Sequence, residues 1–279
     1  MKRTKSFESE SNLLYLVATP IGNMSEISQR TISILNDADI VAAEDTRNTG
    51  LLLSKLGIKK ELFSLREHNE NEASVHLIKL IKEGKKVAYV SDAGYPGISD
   101  PGYLLVQNAL KEDVRISTIS GPSAFINALV ASGLPTNHFY FHGFLPAKDG
   151  EAKKELEQIK TKKETLIFYE APHRIIRMLK NLLEVLGNRE AVIARELTKI
   201  NEEYIRGTLS ELVEIDESTL KGEMVVLVKG NDEESTISDE ELLNKANHYK
   251  KEGMSIKDIV DKFYKDFGVP KNRIKKLIM

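Results

Sequence analysis

The loop Val90–Pro101 carries the residues of this chain best suited to binding or chemistry. Ser91, Asp92 and Ser99 offer hydroxyl and carboxylate groups, and glycines between them let the backbone approach a ligand closely. The loop follows the apolar run Val87–Val90, which is typical of a strand, and ligands of open α/β sheets bind at such strand ends. Because a tight strand-to-helix connection collects the same residue types, the pattern alone leaves both interpretations open.

A second group of candidate residues is the acid–acid–base triplet Glu44, Asp45 and Arg47, which follows the apolar segment Asp39–Ala43. Two adjacent carboxylates beside an arginine can position or deprotonate a hydroxyl, so the triplet is a candidate catalytic group. The alternative is structural: Asp45 would cap a helix that begins at Thr46. The sequence allows both.

Small-residue turns follow four predicted strands, and their convergence along one sheet edge would form the walls of a cleft. They span Thr19–Asn23, Ser91–Gly97, Ser120–Ala124 and Glu170–Arg174. None contains the Gly-Lys-Ser/Thr of a Walker loop or the dinucleotide pattern Gly-x-Gly-x-x-Gly, which disfavours an NTPase or an NAD enzyme. The histidines are scattered and no carboxylate pair has ligand spacing, so no metal site is expected.

The elements that must position these turns alternate between strand and helix as far as Ile119, which predicts a mostly parallel sheet covered by helices. From Phe139 onward the strand segments predict a second, mixed sheet that closes with Met224–Val228. The predicted fold class is therefore α/β. A helix is expected to start at Pro172, since proline favours the first helical position.

Two further helices are predicted in enough detail to be tested. Ser25 is expected to cap a helix that runs to about Leu35. Its candidate buried positions are Ile27, Ile32, Ile34 and Leu35. A second helix is expected over Glu72–Lys82. Its inner face is predicted to contain Val75, Ile78 and either Ile81 or Leu77.

Composition limits the class of protein. The chain has 279 residues, enough for about two domains, and contains no cysteine, which excludes disulfides, thiolate nucleophiles and cysteine-based zinc sites. No apolar run is long enough to span a bilayer, and Met1–Asn12 lacks the apolar core of a secretory signal. A cytoplasmic protein is therefore expected. The net charge of −2 does not indicate a polyanionic partner by itself.

The C-terminal end is organised differently from the rest. The acidic, polar segment Asn231–Ser238 is typical of a linker, and helical patterns follow over Asp239–Lys251, Ser255–Phe267 and Lys271–Ile278. The last two patterns flank a Gly-Val-Pro turn, which is the outline of a helix-turn-helix. Between residues 250 and 279, nine Lys or Arg stand against four Asp or Glu. This bias slightly favours nucleic-acid binding over a helical appendage without a ligand.

An ordered set of motifs carries a family resemblance. The motifs are Ala18-Thr19-Pro20-Ile21-Gly22-Asn23, Ala43-Glu44-Asp45-Thr46-Arg47, Ser91-Asp92-Ala93-Gly94 with Ile98-Ser99-Asp100-Pro101-Gly102, Gly121-Pro122-Ser123-Ala124, Tyr169-Glu170-Ala171-Pro172-His173-Arg174 and Arg195-Glu196-Leu197-Thr198-Lys199. Over about Leu13 to Gly230, the chain resembles the ribosomal RNA small-subunit methyltransferase I family of the tetrapyrrole-methylase-like fold. The resemblance implies a cytoplasmic homodimer that uses S-adenosylmethionine for 2′-O-methylation of a cytidine in small-subunit (16S) ribosomal RNA. The substrate would be that RNA or the assembled small ribosomal subunit.

The resemblance also implies the arrangement of the site. The family folds into two α/β domains, here residues 13–121 and 122–230, with the methyl donor in the cleft between them and a helix-turn-helix-like appendage at 239–279. Carried over by position, the donor-binding residues are Pro20, Val90, Ser91, Asp92, Tyr95, Ser123, Ala124, Tyr169, Glu170, Leu197 and Thr198. For Tyr169 and Leu197, core packing is the alternative. Glu44, Asp45 and Arg47 are the candidate catalytic or RNA-orienting residues.

Two other functions are compatible with parts of the pattern. A tetrapyrrole or diphthamide methyltransferase would share the donor, but such enzymes usually begin with a Gly-rich loop ending in Asp, whereas this chain has Thr19–Asn23 and adds the Glu44–Arg47 cluster. Both departures favour an RNA acceptor. A non-catalytic nucleic-acid-binding protein, led by the C-terminal helices, would leave the ordered cleft motifs unexplained.

Overall fold

The computed structural model describes residues 3, 5, 6, 12–231, 238–267 and 269–278. Contacts divide the described chain into two compact units, one extending to Gly230 and one from Asn231 onward. The first unit contains both sheets. Residues 232–237 of the predicted linker Asn231–Ser238, and Gly268 of the predicted turn, lie outside the described residues.

The first sheet is parallel throughout its described strands. They are β1 (Leu13–Val17), β2 (Ile40–Ala43), β3 (Glu61–Ser64), β4 (Val87–Val90) and β5 (Arg115–Ile119), in the spatial order β3-β2-β4-β1-β5. The connecting helices are α1 (Gln29–Asp37), α2 (Thr46–Lys55), α3 (Glu70–Lys82) and α4 (Tyr103–Lys111). The central strands β2 and β4 are buried at every position, as expected for strands covered on both faces. The predicted parallel sheet is confirmed.

The start of α1 differs from the prediction. Ser25 does not cap this helix; it lies in a short 3-10 turn in which Asn23 Oδ1 accepts the Ser25 amide hydrogen at 3.0 Å. Ser28 is the cap instead, and its hydroxyl oxygen accepts the amide hydrogen of Thr31 at 3.0 Å. The turn moves the start of the helix to Gln29 and leaves Ile27 outside it. Of the predicted positions only Leu35 is fully buried, and Ile27, Ile32 and Ile34 are partly exposed.

The helix α3 begins at Glu70, slightly before the predicted start, and its inner face is partly as predicted. Leu77, Ile78 and Ile81 are buried, whereas Val75 is 61% exposed, so the prediction for Val75 is wrong. Val75 precedes Leu77 by two positions, which turns it about 160° away around the helix axis.

The second sheet is mixed, as predicted. Its strands are β6 (Phe139–Phe144), β7 (Thr165–Glu170), β8 (Glu190–Arg195), β9 (Glu203–Thr208) and β10 (Met224–Val228), in the order β6-β7-β10-β8-β9. The β6–β7 pair is parallel and the other described pairs are antiparallel. The helices of this region are α5 (Ala124–Ser132), α6 (Asp149–Ile159), α7 (Ile175–Leu186) and α8 (Leu209–Leu212). Pro172 starts a 3-10 turn rather than an α-helix, and α7 follows at Ile175.

Both faces of the second sheet are buried. One face packs against α6, α7 and α8 through residues such as Phe168, Leu156 and Leu179. The other packs against α5, and Ile21 from the turn after β1 joins this second cluster. The strand-end turns of the first sheet therefore share a core with the second sheet. The chain passes between the sheets after Ile119, and the domain boundary at residues 121 and 122 stays a prediction.

The unit from Asn231 onward is built around its own small core. Its described helices are α9 (Asp239–Lys251), α10 (Ile256–Phe267) and α11 (Lys271–Ile278). Leu242, Ile259, Phe263, Val269 and Ile274 are buried among them. Every helix among the described residues is too short or too polar to span a bilayer.

Candidate active site

The turns at the ends of β1, β4 and β5 are tied together. The Thr19 amide donates to the Gly94 carbonyl at 2.9 Å, and the Gly94 amide donates to the Thr19 carbonyl at 3.0 Å. Gly94 has a φ of 75°, which glycine adopts without strain. The Gly121 amide donates to the Tyr95 hydroxyl oxygen at 3.2 Å, which links the third turn to the same loop. The predicted convergence of these three turns is confirmed.

A cavity of about 330 Å³ lies between these turns and the second sheet. Residues of all four predicted turns line it, including Ile21, Gly94, Ser123 and Glu170. Of the predicted donor-binding residues, those that line the cavity are Tyr95, Ser123, Ala124, Tyr169, Glu170 and Leu197. Its walls combine apolar surface with a few polar groups, which is the usual composition of a site for an organic ligand.

Other predicted donor-binding residues do not line this cavity. Pro20, Ser91 and Asp92 line a separate cavity of about 270 Å³ together with residues of α2. Ser91 is buried, and its hydroxyl donates to the Gly94 carbonyl at 3.2 Å. Val90 is fully buried at the end of β4. These residues pack within and beside the loop after β4, and their contact with the donor stays a prediction.

Thr198 occupies a strained turn beside the first cavity. Its φ is 68°, a left-handed conformation that β-branched residues rarely adopt. Its hydroxyl oxygen is buried and makes no hydrogen bond to any residue that the structure describes. A Cβ placed on Gly22 would lie 3.2 Å from this oxygen, so the Thr198 turn presses against the turn after β1. Strain of this kind is common at ligand sites.

The triplet after β2 has the structural role that the sequence left open. Asp45 caps α2 by accepting the Arg47 amide hydrogen at 2.8 Å, and it also accepts two hydrogen bonds from the Arg47 guanidinium, at 3.1 and 2.6 Å. These bonds hold the pKa of Asp45 well below its usual range. Burial and the neighbouring charges of Asp92 and Asp45 raise the pKa of Glu44. Catalytic roles for these residues stay a prediction.

Asp92 joins the loop after β4 to the triplet. Its carboxylate accepts hydrogen bonds from the Asp45 amide at 3.3 Å and from the Asn48 side-chain amide at 2.7 Å. The two candidate groups that the sequence places far apart are therefore neighbours. The carboxyl groups of Glu44 and Asp92 interact where the turn after β2 meets the loop after β4.

Asp100 is a site residue that the sequence reasoning did not single out. It lines the first cavity. Burial raises its pKa to about 7, reinforced by the charges of Glu44 and Asp92 and opposed by the Ser91 hydroxyl. The sequence feature that could have pointed to Asp100 is its place in the motif Ile98–Gly102. Of the partners that perturb it, Glu44 follows β2, and Ser91 and Asp92 lie at the start of the loop, so its environment cannot be read from that motif.

Glu170 and Arg174 stabilise the turn after β7. The Glu170 carboxylate accepts the Ala171 amide hydrogen at 2.8 Å and lies 3.1 Å from the Arg174 Nε. Arg174 also donates to the Leu145 carbonyl at 2.8 Å, which anchors the end of β6. Tyr169 packs edge-on against Phe141 and also lines the cavity; its contact with the donor stays a prediction. Burial raises the pKa of Tyr169 to about 12.

No group of three or more His, Asp or Glu residues able to hold a metal ion occurs among the described residues. The expectation of no metal site stays a prediction.

Comparison with known proteins identifies the class. The family model for tetrapyrrole (corrin/porphyrin) methylases matches residues 13–213. A solved diphthine synthase superposes with a TM-score of 0.60 at 18% identity, covering 78% of this chain and 89% of that chain. A uroporphyrin-III-C-methyltransferase from Thermus thermophilus superposes with a TM-score of 0.56 at 19% identity, covering 78% and 94%. The structural likeness shows the fold, and together with the family match it defines a methyltransferase of the tetrapyrrole methylase class.

Curated relatives narrow this class. Ribosomal RNA small subunit methyltransferase I of Halalkalibacterium halodurans is 44% identical over 284 residues, covering 98% of both chains. The protein of that name from Bacillus subtilis is 40% identical over 283 residues, covering 98% of this chain and 97% of its own. The chain belongs to the ribosomal RNA small subunit methyltransferase I family. It is therefore an enzyme, and the non-catalytic alternative is not supported.

Methyltransferases of this family use S-adenosylmethionine as methyl donor. The described cleft fits that group. Leu197 and Val225 give the cavity apolar surface of the kind that an organic ligand needs, and the buried Thr198 hydroxyl oxygen makes no hydrogen bond to a described residue. Asp100 and Glu170 add carboxyl groups to the wall of this cavity.

Proposed function

We propose that the protein transfers a methyl group from S-adenosylmethionine to the 2′-hydroxyl of a cytidine in small-subunit (16S) ribosomal RNA. The observation that carries this proposal is the similarity along 98% of both chains to a protein named for small-subunit ribosomal RNA methylation. That coverage takes in the C-terminal helices as well as the cleft. The proposal includes a cytoplasmic location and a homodimer.

In this proposal the cavity between the sheets holds the donor. Tyr95, Ser123 and Ala124 bind it from the side of the first sheet, and Tyr169, Glu170 and Leu197 bind it from the second sheet. Pro20, Val90, Ser91, Asp92 and Thr198 complete or shape the donor site. The support is that the six residues assigned to the two sides, from Tyr95 to Leu197, line one cavity of suitable size and composition.

The chemistry asks little of the protein beyond alignment and proton removal. The donor supplies an activated methyl group, so the protein's contribution is to hold an acceptor hydroxyl in line with it. A ribose hydroxyl is a weak nucleophile and needs a base nearby. Glu44 and Asp45 are candidates for positioning this hydroxyl. Arg47, whose side chain is 84% exposed, is a candidate for contacting the RNA backbone.

The C-terminal unit is proposed to help hold the RNA. Its last helix, α11, carries Lys271, Arg273, Lys275 and Lys276. Lys271 and Arg273 form ion pairs with Asp261 and Asp239, whereas Lys275 and Lys276 are exposed. Exposed cations on one helix favour contact with phosphates.

Methyl transfer to ribosomal RNA tests the proposal directly. The full chain is incubated with radiolabelled S-adenosylmethionine and small ribosomal subunits from a strain that lacks this protein, and in parallel with naked small-subunit RNA. We expect label in one cytidine, located by nucleotide mapping, and resistance of the neighbouring phosphodiester bond to alkali. Label in neither substrate would contradict the proposal. Label on a base would contradict the 2′-O assignment.

A further inference from the structure

Asp100 and Phe144 line the cavity from two different elements, the loop after β4 and the end of β6. The two elements touch, since a Cβ placed on Gly143 would lie 3.3 Å from the Ser99 hydroxyl oxygen. A register shift in the β6–β7 pairing lies just before Gly143, and Phe144 follows it. Asp100 directly follows Ser99, and Phe144 directly follows Gly143, so this contact brings the two residues close along both chain segments.

Phe144 has an unusual environment for a large apolar residue. It is 54% exposed, and its ring centroid lies 5.5 Å from that of Tyr169. The ring is thus held from one side and open to solvent on another, beside a cavity with polar groups. Proteins that act on a single nucleotide of RNA commonly stack its base on such an aromatic ring.

Asp100 is a carboxylate suited to taking a proton. The groups facing it are the carboxylates of Glu44 and Asp92, the Ser91 hydroxyl and the phenols of Tyr89 and Tyr169. Burial and the two neighbouring carboxylates raise its pKa to about 7. A general base is most effective when its pKa lies near the working pH.

We propose that Asp100 and Phe144 form the acceptor subsite, in which Asp100 accepts the proton of the attacking ribose hydroxyl and Phe144 stacks on the base of the same nucleotide. This inference rests on the proposed function and adds two residues to it. In the step, the hydroxyl proton moves to an Asp100 carboxylate oxygen. The ribose oxygen forms the new bond to the methyl carbon, the carbon–sulfur bond breaks and its electron pair stays on sulfur. One positive and one negative charge disappear together, so the charges balance.

The first arm of the test measures pH dependence. The variants D100N and E44Q are compared with the wild type for methyl transfer to small subunits between pH 5 and pH 9, and donor affinity is measured by calorimetry with S-adenosylmethionine. We expect the wild-type rate to rise with pH through about 7 and then level off, since the ionised carboxylate is the base. D100N should not show this rise with pH, and its rate should be about a hundredfold or more below that of the wild type. Its donor affinity should be retained. E44Q removes a charge that raises the pKa of Asp100 and should move the rise to lower pH.

The second arm measures substrate affinity. F144A should raise KM for small subunits about tenfold, with donor affinity unchanged, and F144Y should restore it because the tyrosine ring also stacks. F139A is the matched control, since Phe139 is a partly exposed phenylalanine on the same strand that is not among the residues lining the cavity. It should leave KM unchanged.

The outcomes separate this inference from the proposed function. A wild-type rate and pH profile in D100N would overturn the role of Asp100. Weakened donor binding in F144A with an unchanged KM would assign the ring to the donor and overturn the stacking role. If the wild type methylates no small-subunit RNA, the proposed function fails and this inference with it. If the wild type is active and the variants match it, the inference alone fails.

Discussion

Glu70 caps a helix to which it does not belong: its Oε1 accepts the amide hydrogen of Gly102 at 2.8 Å. The same oxygen accepts the Leu104 amide hydrogen at 2.8 Å, so one carboxylate at the start of α3 satisfies the first turn of α4. Tyr89 adds a hydrogen bond from its hydroxyl to the Pro101 carbonyl at 2.8 Å. The end of the loop that carries Asp100 is therefore fixed by residues outside the loop.

Removing the Glu70 carboxylate should loosen this loop. E70A leaves buried amide donors without partners, and we expect it to lower the free energy of unfolding by about 1–3 kcal/mol. E70Q, which retains an acceptor oxygen, should cost less. Urea denaturation measures both, with E72A as the control because Glu72 is exposed one half-turn further along α3. Equal effects of E70A and E72A would contradict the prediction.

The raised pKa of Asp100 predicts a pH-dependent stability difference. Its folded-state pKa of about 7 lies above the ordinary value of 3.8, so the folded protein binds the proton more tightly than the unfolded chain. Proton binding by Asp100 therefore stabilises the folded protein at low pH, and this stabilisation should be lost as pH rises from about 4 to above 7. D100N escapes the loss, and its Tm should exceed that of the wild type by more at pH 8 than at pH 4. Scanning calorimetry at both values tests this, with D37N at the exposed end of α1 as the control. A pH-independent difference for D100N would refute the prediction.

The turn after β5 should not tolerate a side chain at Gly121. A Cβ there would lie 2.8 Å from the Ala18 Cβ, which is fixed to a buried backbone and cannot rotate away. We expect G121A to destabilise the protein by about 1–3 kcal/mol and to weaken donor binding, because the Gly121 amide also holds Tyr95. G150A is the contrasting variant. Nothing lies within 4 Å of a Cβ at that helical position, so alanine should stabilise by about 0.5–1 kcal/mol. Denaturant titration measures both variants. A free energy of unfolding that changes in the same direction for G121A and G150A would contradict the prediction.

Phosphate binding by α11 predicts a salt effect. The variant K275Q/K276Q should bind small subunits more weakly, and the slope of log affinity against log salt should fall by about one for each phosphate that the helix no longer neutralises. Donor binding should not change. Deletion of residues 239–279 should weaken rRNA methylation further without abolishing donor binding. Filter binding over a range of potassium chloride concentrations provides the measurement, and an unaltered slope would count against RNA binding by this helix.

The strands could be predicted closely because they are short apolar runs bounded by turn residues. Val87–Val90 and Met224–Val228 begin and end where the sequence pattern places them. Helix starts were harder, since a 3-10 turn after Asn23 competes with the capping potential of Ser25. The prediction of buried positions was also wrong at Val75, because apolar character alone does not reveal the inner face of a helix.

The candidate site was only partly predictable for a different reason. The turns around it could be found from their small residues and strand ends. The acidic environment of Asp100 depends on Glu44, which follows β2, and on Asp92 at the start of the same loop, and it exists only once the sheet and the loop have formed. The exposure of Phe144 likewise depends on how β6 meets the loop after β4. Properties that arise from three-dimensional neighbours have no local signature in the sequence.

The reciprocal bonds between Thr19 and Gly94 involve main-chain atoms alone. The joint between these turns therefore does not depend on the identity of the side chains around it, apart from the conformational freedom that Gly94 supplies. Side chains around the cavity can therefore change without loosening the joint between these turns. A fold joined in this way can keep one methyl donor while its lineages diverge toward chemically unrelated acceptors.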